Sequence, residues 1–485
     1  MSPKILRLSA ILLAGTALGC PAFALQANTD GAKKLTDVFE TYLGKSAPGK
    51  PGAATVVPEG EGYRVTLSLA ALAAPVANSL FGIEGGNVVF SANEQPDGNW
   101  HVVSTAPLQA TIKVGPQVQN ILFDGLKFDG VFDPKAGSFI SSTMSIQKVK
   151  QTVAAPEVNA TVTSGLVNSV QSSILAGNGG VSSKIDYNVK DFREDMIFST
   201  PKKDGAASPE VKASLAAATL QSTMSLDAFR SRKFLELWAF LVAHPSKESV
   251  AAGQADLKAI LRPLLPLFEK MSGNVILNDV SVQTPIGAFA AKSLGAVIGM
   301  TGLVAGANFS EEFKLAGLSI PPGLAPPWSA GLVPTDAAFG FRVQGLDLAA
   351  ASKEAVEDFS LNSPKPISDA DGAKILAAVA PGGKFDIVLT PGRLASALLE
   401  VTFDGAATVN IPQFSGKVTI HAKGLDAALE TLKKGMATDK SAAQAFGVGT
   451  MAKGLGKAGA GGSTDWVVEY ADGGVKINGT PFGGK

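Results

Sequence analysis

Thiols, histidines and charges are scarce in this chain. Cys20 is its single cysteine, histidines stand only at 101, 244 and 421, and charged residues make up 17% of 485, against a usual quarter. One thiol excludes an intrachain disulfide and a cysteine-rich zinc site. None of the histidines has a second histidine or a carboxylate at metal-ligand spacing, so no metal and no cofactor is expected. Basic and acidic residues number 42 each. Without a basic patch or stripe there is no footprint for nucleic acid. No Gly-x-Ser-x-Gly elbow and no Walker loop occurs. Long spanning runs are missing too. Residues 315–335 are uncharged but hold five prolines, and residues 293–308 are apolar but broken by glycine. Neither suits a transmembrane helix, which needs about 20 residues without such breaks.

What is present begins at the first residues. Lys4 and Arg7 precede an uncharged apolar stretch, 8–19, built mostly from Leu, Ile and Ala. It is too short to cross a bilayer and reads as a secretory signal. Ala22-Phe23-Ala24 sets small residues at −3 and −1, so cleavage after Ala24 would start the mature chain at Leu25. A competing lipobox, Ala17-Leu18-Gly19-Cys20, would leave Cys20 acylated. The first reading places the protein in the periplasm or secretes it; the second anchors it by lipid through Cys20. In either case the mature chain is expected to lack a transmembrane helix.

Hydrophobic spacing then organises the chain. Leu35, Val38, Phe39, Tyr42 and Leu43 share one face of a helix over 31–43, with Asp30 as its cap. Residues 45–62, rich in Pro and Gly, read as a linker. From Tyr63 the period changes to two, with Val65, Leu67 and Leu69 alternating with polar residues. Pro96-Asp97-Gly98-Asn99 and Pro134 to Gly137 mark hairpin turns, and strands continue to about 224 as an antiparallel meander. Helices are expected from Asp227 to Pro245 and over 249–271, the second kinked by Pro263 and Pro266. Strands return at 274–294, 337–344, 384–390, 398–411 with a turn at Asp404-Gly405, 415–424 and 465 onwards. The stretch 341–359 also aligns without gaps on 420–436, both through Gly-Leu-Asp, with a looser copy at 220–234. Asp227, Asp347 and Asp426 suit N-caps there.

Chemistry-bearing residues are few. His101 follows a hairpin turn, His244 closes a helix before Pro245, and His421 lies on a polar strand face. The Ser-Asp-Ala-Asp-Gly run at 368–372 lacks the later acidic ligands of a calcium loop, so Ser368 or Asp369 is expected to cap a helix. Glu311-Glu312 and Glu354, Glu357 and Asp358 read as solvated faces. No catalytic, cofactor-binding or metal residue is assigned.

The helical "LRPLLPLFEKMSG", the strand pair from "NVILNDVSV", "FKLAGLSIPP" and the closing "EYADGGVKINGTPF" together resemble the YdgA-like bacterial envelope proteins, a family of unknown function, over about 225–485. The resemblance implies a long curved antiparallel sheet with helices packed on it, and it transfers no catalytic residue. The expected class is α+β, strand-dominated, with large curved antiparallel sheets. Its expected divisions are 1–24 signal peptide, 25–62 helix and linker, 63–225 β-rich half, 226–272 helical segment, and 273–485 α+β half. The leading expectation is a non-enzymatic periplasmic envelope protein that binds a lipid or other apolar ligand. The alternative is a structural or interaction protein that meets envelope proteins at the outer membrane or cell wall. A hydrolase stands third and would need a pocket joining His101 or His421 to a serine and a carboxylate.

Overall fold

A computed structural model describes residues 27–44, 52–73, 81–199, 210–410, 413–471 and 473–483. The fold is α+β and strand-dominated, with a large open antiparallel sheet and several helices. The chain divides into two compact units, 1–271 with 352–372, and 272–351 with 373–485.

The first unit opens with α1 (Thr29–Leu43), which buries Leu35 and Phe39. Its cap is Asn28, whose side chain accepts from the Gly31 amide at 2.8 Å. Asp30 lies inside the first turn instead, so the expected cap shifts by two residues. The stretch read as a linker is strand over part of its length. Here β1 (Ala54–Glu59) pairs with β2 (Gly62–Ser68) across Gly60, whose positive φ the tight turn requires. Pro58 is tolerated because β1 pairs with β2 alone. After α2 (Leu69–Ala73) come β3 (Phe81–Gly85), β4 (Asn87–Glu94), β5 (Trp100–Ser104), β6 (Leu108–Val114), β7 (Gln117–Asp124), β8 (Lys127–Asp133), β9 (Ser138–Ile146), β10 (Lys148–Ala155), β11 (Val158–Ser164), β12 (Val167–Leu175), β13 (Val181–Phe198) and β14 (Val211–Phe229).

These strands are antiparallel, but they are not a meander. The chain builds two ribbons in alternation. One runs β1-β2-β4-β5-β8-β9-β12 and the other β3-β6-β7-β10-β11. Both end on β13, whose first half pairs with β12 and second half with β11, while β14 flanks most of its length. The core sits under α1, where Phe39, Tyr63, Val65, Leu67, Phe90, Trp100 and Phe132 pack together. Each such side chain contributes roughly 1.5–3 kcal/mol by leaving water.

Helices follow at α3 (Ser231–Ala243), α4 (Lys247–Ala252) and α5 (Gln254–Leu264). The helical region therefore starts later and stops earlier than its periodicity suggests. Asp227 lies in β14 and caps nothing at a helix start; the chain turns at Ala228, with φ at 53°. The helix expected to reach 271 ends at Leu264, because Pro266 has no amide to continue it. An Arg262–Glu357 fork, with bonds of 2.7 and 2.8 Å, ties α5 to residues 352–372.

In the second unit β15 (Lys270–Thr284) precedes β16 (Gly287–Thr301), β17 (Ala305–Ala316) and β18 (Asp336–Asp347). Helices α6 (Leu348–Asp358) and α7 (Asp369–Val379) follow in the chain, with 352–372 belonging to the first unit, then β19 (Lys384–Ala395), β20 (Glu400–Asn410) and β21 (Gln413–Lys423). Last come α8 (Leu425–Gly435), α9 (Lys440–Leu455), β22 (Lys457–Ala458), β23 (Thr464–Ala471), β24 (Gly474–Ile477) and β25 (Thr480–Phe482). Pairing runs in order from β16 through β21, then β23, β24 and β25. β20 passes straight through Asp404-Gly405, so the expected turn is absent. Gly405 is needed for space: a Cβ there would fall 2.5 Å from the Lys417 carbonyl oxygen on β21. The sequence also reads Asp472-Gly473-Gly474 as a closing turn, of which Asp472 lies outside the described residues.

Candidate functional site

Strand alternation sends odd and even residues to opposite faces, and the pairing register carries this across the second unit's sheet. On one face lie Leu294, Ile298 and Met300 of β16, then Phe309, Phe313 and Leu315 of β17. Phe339, Phe341 and Val343 of β18 continue it, followed by Ile387 and Leu389 of β19. Val401, Phe403 and Val409 of β20 meet Ala422, Ile420 and Phe414 of β21. Trp466, Val468 and Tyr470 of β23 and Ile477 and Val475 of β24 complete the row. Aromatic rings touch along it: Phe313 with Phe339 at 5.2 Å, Phe309 with Phe341 at 5.9 Å, and Phe414 with Tyr470 at 5.4 Å between centroids.

The opposite face is mostly polar, with Val297, Val388 and Val467 among its residues. It carries Glu312 and Lys314 on β17, Arg342 on β18, Asp386 on β19, Thr408 on β20, and Lys417, Thr419 and His421 on β21. Its groups pair with one another: Lys314 with Glu312 at 3.4 Å, Thr408 donating to Asp386 at 2.7 Å, and Lys417 with Glu469 at 3.4 Å.

An amphipathic sheet ordinarily buries its apolar face. Here none of those large side chains from β16 to β24 belongs to the buried core, except the small Ala422. Phe339 is 52% exposed, Phe414 44% and Ile298 40%. Most of the others are half-buried, and at the Trp466 end the indole donates to the Ala452 carbonyl of α9 at 2.7 Å. Eight strands at about 4.8 Å spacing, with four residues per strand on this face, give a surface of roughly 34 by 20 Å.

The pair Glu311-Glu312, expected to be solvated, is divided by the strand between the two faces. Glu312 joins Lys314 on the polar side. Glu311 lies among the apolar residues, opposite Ile298 on β16 and Phe341 on β18, and between Phe309 and Phe313 along β17. It is half-buried, and its carboxylate has no hydrogen bond or ion pair among the described residues. Lys292 of β16 shares the face by alternation, but it lies six residues along the strand from Ile298, the residue opposite Glu311, or about 20 Å.

The histidines fall in three separate places. His101 Nε2 meets Asp129 at 3.2 Å on β5 and β8. His244 donates through Nδ1 to the Phe240 carbonyl at 2.8 Å and stacks on that ring. His421 does gain a carboxylate and a serine: Asp465 Oδ1 accepts from His421 Nδ1 at 2.9 Å and from Ser463 Oγ at 2.7 Å. The hydroxyl donation from Ser463, then the one from His421, hold the Asp465 carboxyl below the ordinary carboxylate range. A hydrolytic relay needs the serine to donate to the imidazole; here it donates to the carboxylate. Ser368 caps α7, accepting from the Asp371 amide at 3.1 Å. Among the described residues no group of three His, Cys, Asp or Glu could hold a metal, and no helix is long and apolar enough to cross a membrane. Cys20, Ala22, Ala24 and Leu25 lie outside the described residues.

No protein-family model, no curated protein and no solved structure matches the chain.

Proposed function

We propose that this is a non-enzymatic protein of the bacterial envelope that holds a lipid on the apolar face of β16–β24. The observation that carries the reading is the partly exposed aromatic and aliphatic surface on one side of a sheet whose other side is mostly polar. Each large side chain left in water forgoes roughly 1.5–3 kcal/mol. A hydrocarbon chain laid across the strands recovers part of that without requiring hydrogen bonds from the face. The signal-like segment at 1–24 and the resemblance of 225–485 to YdgA-like envelope proteins support the compartment, either free in the periplasm or anchored through Cys20.

The test is purification from the native compartment without detergent, solvent extraction, and mass spectrometry of the extract. The expected result is lipid at near one-to-one stoichiometry. A protein that is empty, and that stays empty after incubation with vesicles of envelope lipid, overturns the reading. A second reading, docking of another envelope protein, is favoured by one feature. Val448 and Met451 lie a turn apart on α9 and are both largely exposed. Crosslinking at Met451 would report such a partner.

A further inference from the structure

We infer that the ligand carried by the apolar face bears a basic nitrogen, and that Glu311 receives it. The inference rests on the lipid-binding reading above and names the headgroup chemistry of the same site.

The argument starts from what a ligand would do to Glu311. This carboxylate stands within a patch of hydrocarbon, with Phe309 and Phe313 on its own strand, Phe341 opposite, and Phe339 one pair further along β18. Uncovered, it keeps its hydration from solvent. A purely hydrocarbon occupant would strip that water and return nothing, and an unpaired buried charge is among the costliest groups a protein can hold. An anionic amphiphile such as a fatty acid adds repulsion to the desolvation. A cationic head reverses both terms, because it pairs with the carboxylate in a medium where the pairing is strong. The four phenyl rings act in the same sense. Their faces are electronegative and attract ammonium groups, as aromatic cages do. Lys314 of β17 points to the opposite face and pairs with Glu312, and Lys292 of β16, on the same face, stands about 20 Å along the sheet, so among the described residues no cation pairs with Glu311. A charge at this position has no part in the stability of the sheet either, since it takes no partner among the described residues. Its complement is supplied from outside.

The probes are three amphiphiles of one chain length, dodecylamine, dodecanol and dodecanoate, titrated below their micellar concentrations at pH 7 into the full-length protein and into Glu311→Gln. Wild-type protein should prefer dodecylamine to dodecanoate by at least about tenfold. Glu311→Gln should remove that preference while leaving dodecanol binding within about twofold. Gln is close to isosteric and lies on a half-exposed position, so the variant should fold; its melting curve checks this. Equal affinity of the wild type for dodecylamine and dodecanoate, or a preference that survives in Glu311→Gln, overturns the assignment of Glu311 while dodecanol binding leaves the lipid reading in place. Failure of all three amphiphiles to bind overturns the lipid reading and the headgroup assignment together.

Discussion

Asp465 shows how a side chain can be tuned without being catalytic. One oxygen accepts from Ser463 and His421, so ionisation is favoured and the carboxyl lies below the ordinary aspartate value of about 3.9. The sign of the pH effect follows. A carboxyl depressed in the folded state stabilises it above the unfolded value, and that contribution is lost as pH falls through the depressed folded value. Ser463→Ala removes the larger cause, so the Asp465 midpoint should move up in a carboxyl-carbon NMR titration; an unmoved midpoint would contradict the assigned cause. Burial makes a sharper contrast. Phe132 is fully buried and packs edge-on against Phe139 at 5.4 Å. Phe132→Ala should cost about 3–5 kcal/mol in urea unfolding, whereas Phe339→Ala on the open face should stay within about 0.5 kcal/mol. Glu311 and Glu312 explain why the site was only half legible in sequence. The alternation of Phe309, Phe313 and Leu315 with polar residues is plain in β17. Adjacent glutamates, however, look equally solvated until the neighbouring strands show which face is apolar.

At the scale of elements, the Gly-Leu-Asp echo acquires a backbone meaning. Gly345 and Gly424 have φ of 86° and 82°, and each precedes the passage from a strand into a helix, β18 to α6 and β21 to α8. The aspartates differ. Asp347 caps α6 by accepting from the Ala350 amide at 2.9 Å, as expected, but Asp426 lies inside α8 and pairs with Lys453 of α9. The conserved element of the echo is thus the left-handed glycine, and the cap is secondary. Gly424→Ala should destabilise by about 1–3 kcal/mol, because φ is positive and a Cβ would sit 2.0 Å from the Leu398 carbonyl. Thermal melts of that variant beside Gly461→Ala, which has positive φ but open space, separate steric crowding from backbone strain; equal losses would show that crowding adds nothing. Hairpins were readable because their turns carry Pro, Asp and Gly locally. The pairings β5–β8, β9–β12 and β7–β10 were not, since strands joined across other strands leave no mark in the intervening residues. Helix ends failed for a related reason: the apolar period of 227–271 continues into β14 and β15, where tertiary pairing overrides it.

At the scale of the whole molecule, the two units bury apolar residues in different ways. The first closes a core beneath α1. The second sets α9 over its Trp466 end and leaves Phe313 of β17 and Phe339 of β18 exposed, with Phe309 and Phe341 half-buried. Low overall charge was visible in composition, and it was compatible with either a large core or an open apolar face. Only the register distinguishes them. The distinction predicts an inverse relation between ligand binding and stability. Replacing Phe313 and Phe339 together by Ser removes the closest ring pair of the open face, at 5.2 Å, without opening a cavity. The double variant should therefore melt like the wild type when both are delipidated, yet retain several-fold less lipid by mass spectrometry. In the lipid-loaded state the wild type should melt higher than the variant, because a ligand that binds only the folded protein stabilises it by mass action. If the double variant loses stability even when delipidated, those rings are packed core and the face is closed in solution. If lipid content is unchanged, the ligand lies elsewhere on the molecule. The two readouts separate a surface kept open for a ligand from one that merely completes the fold.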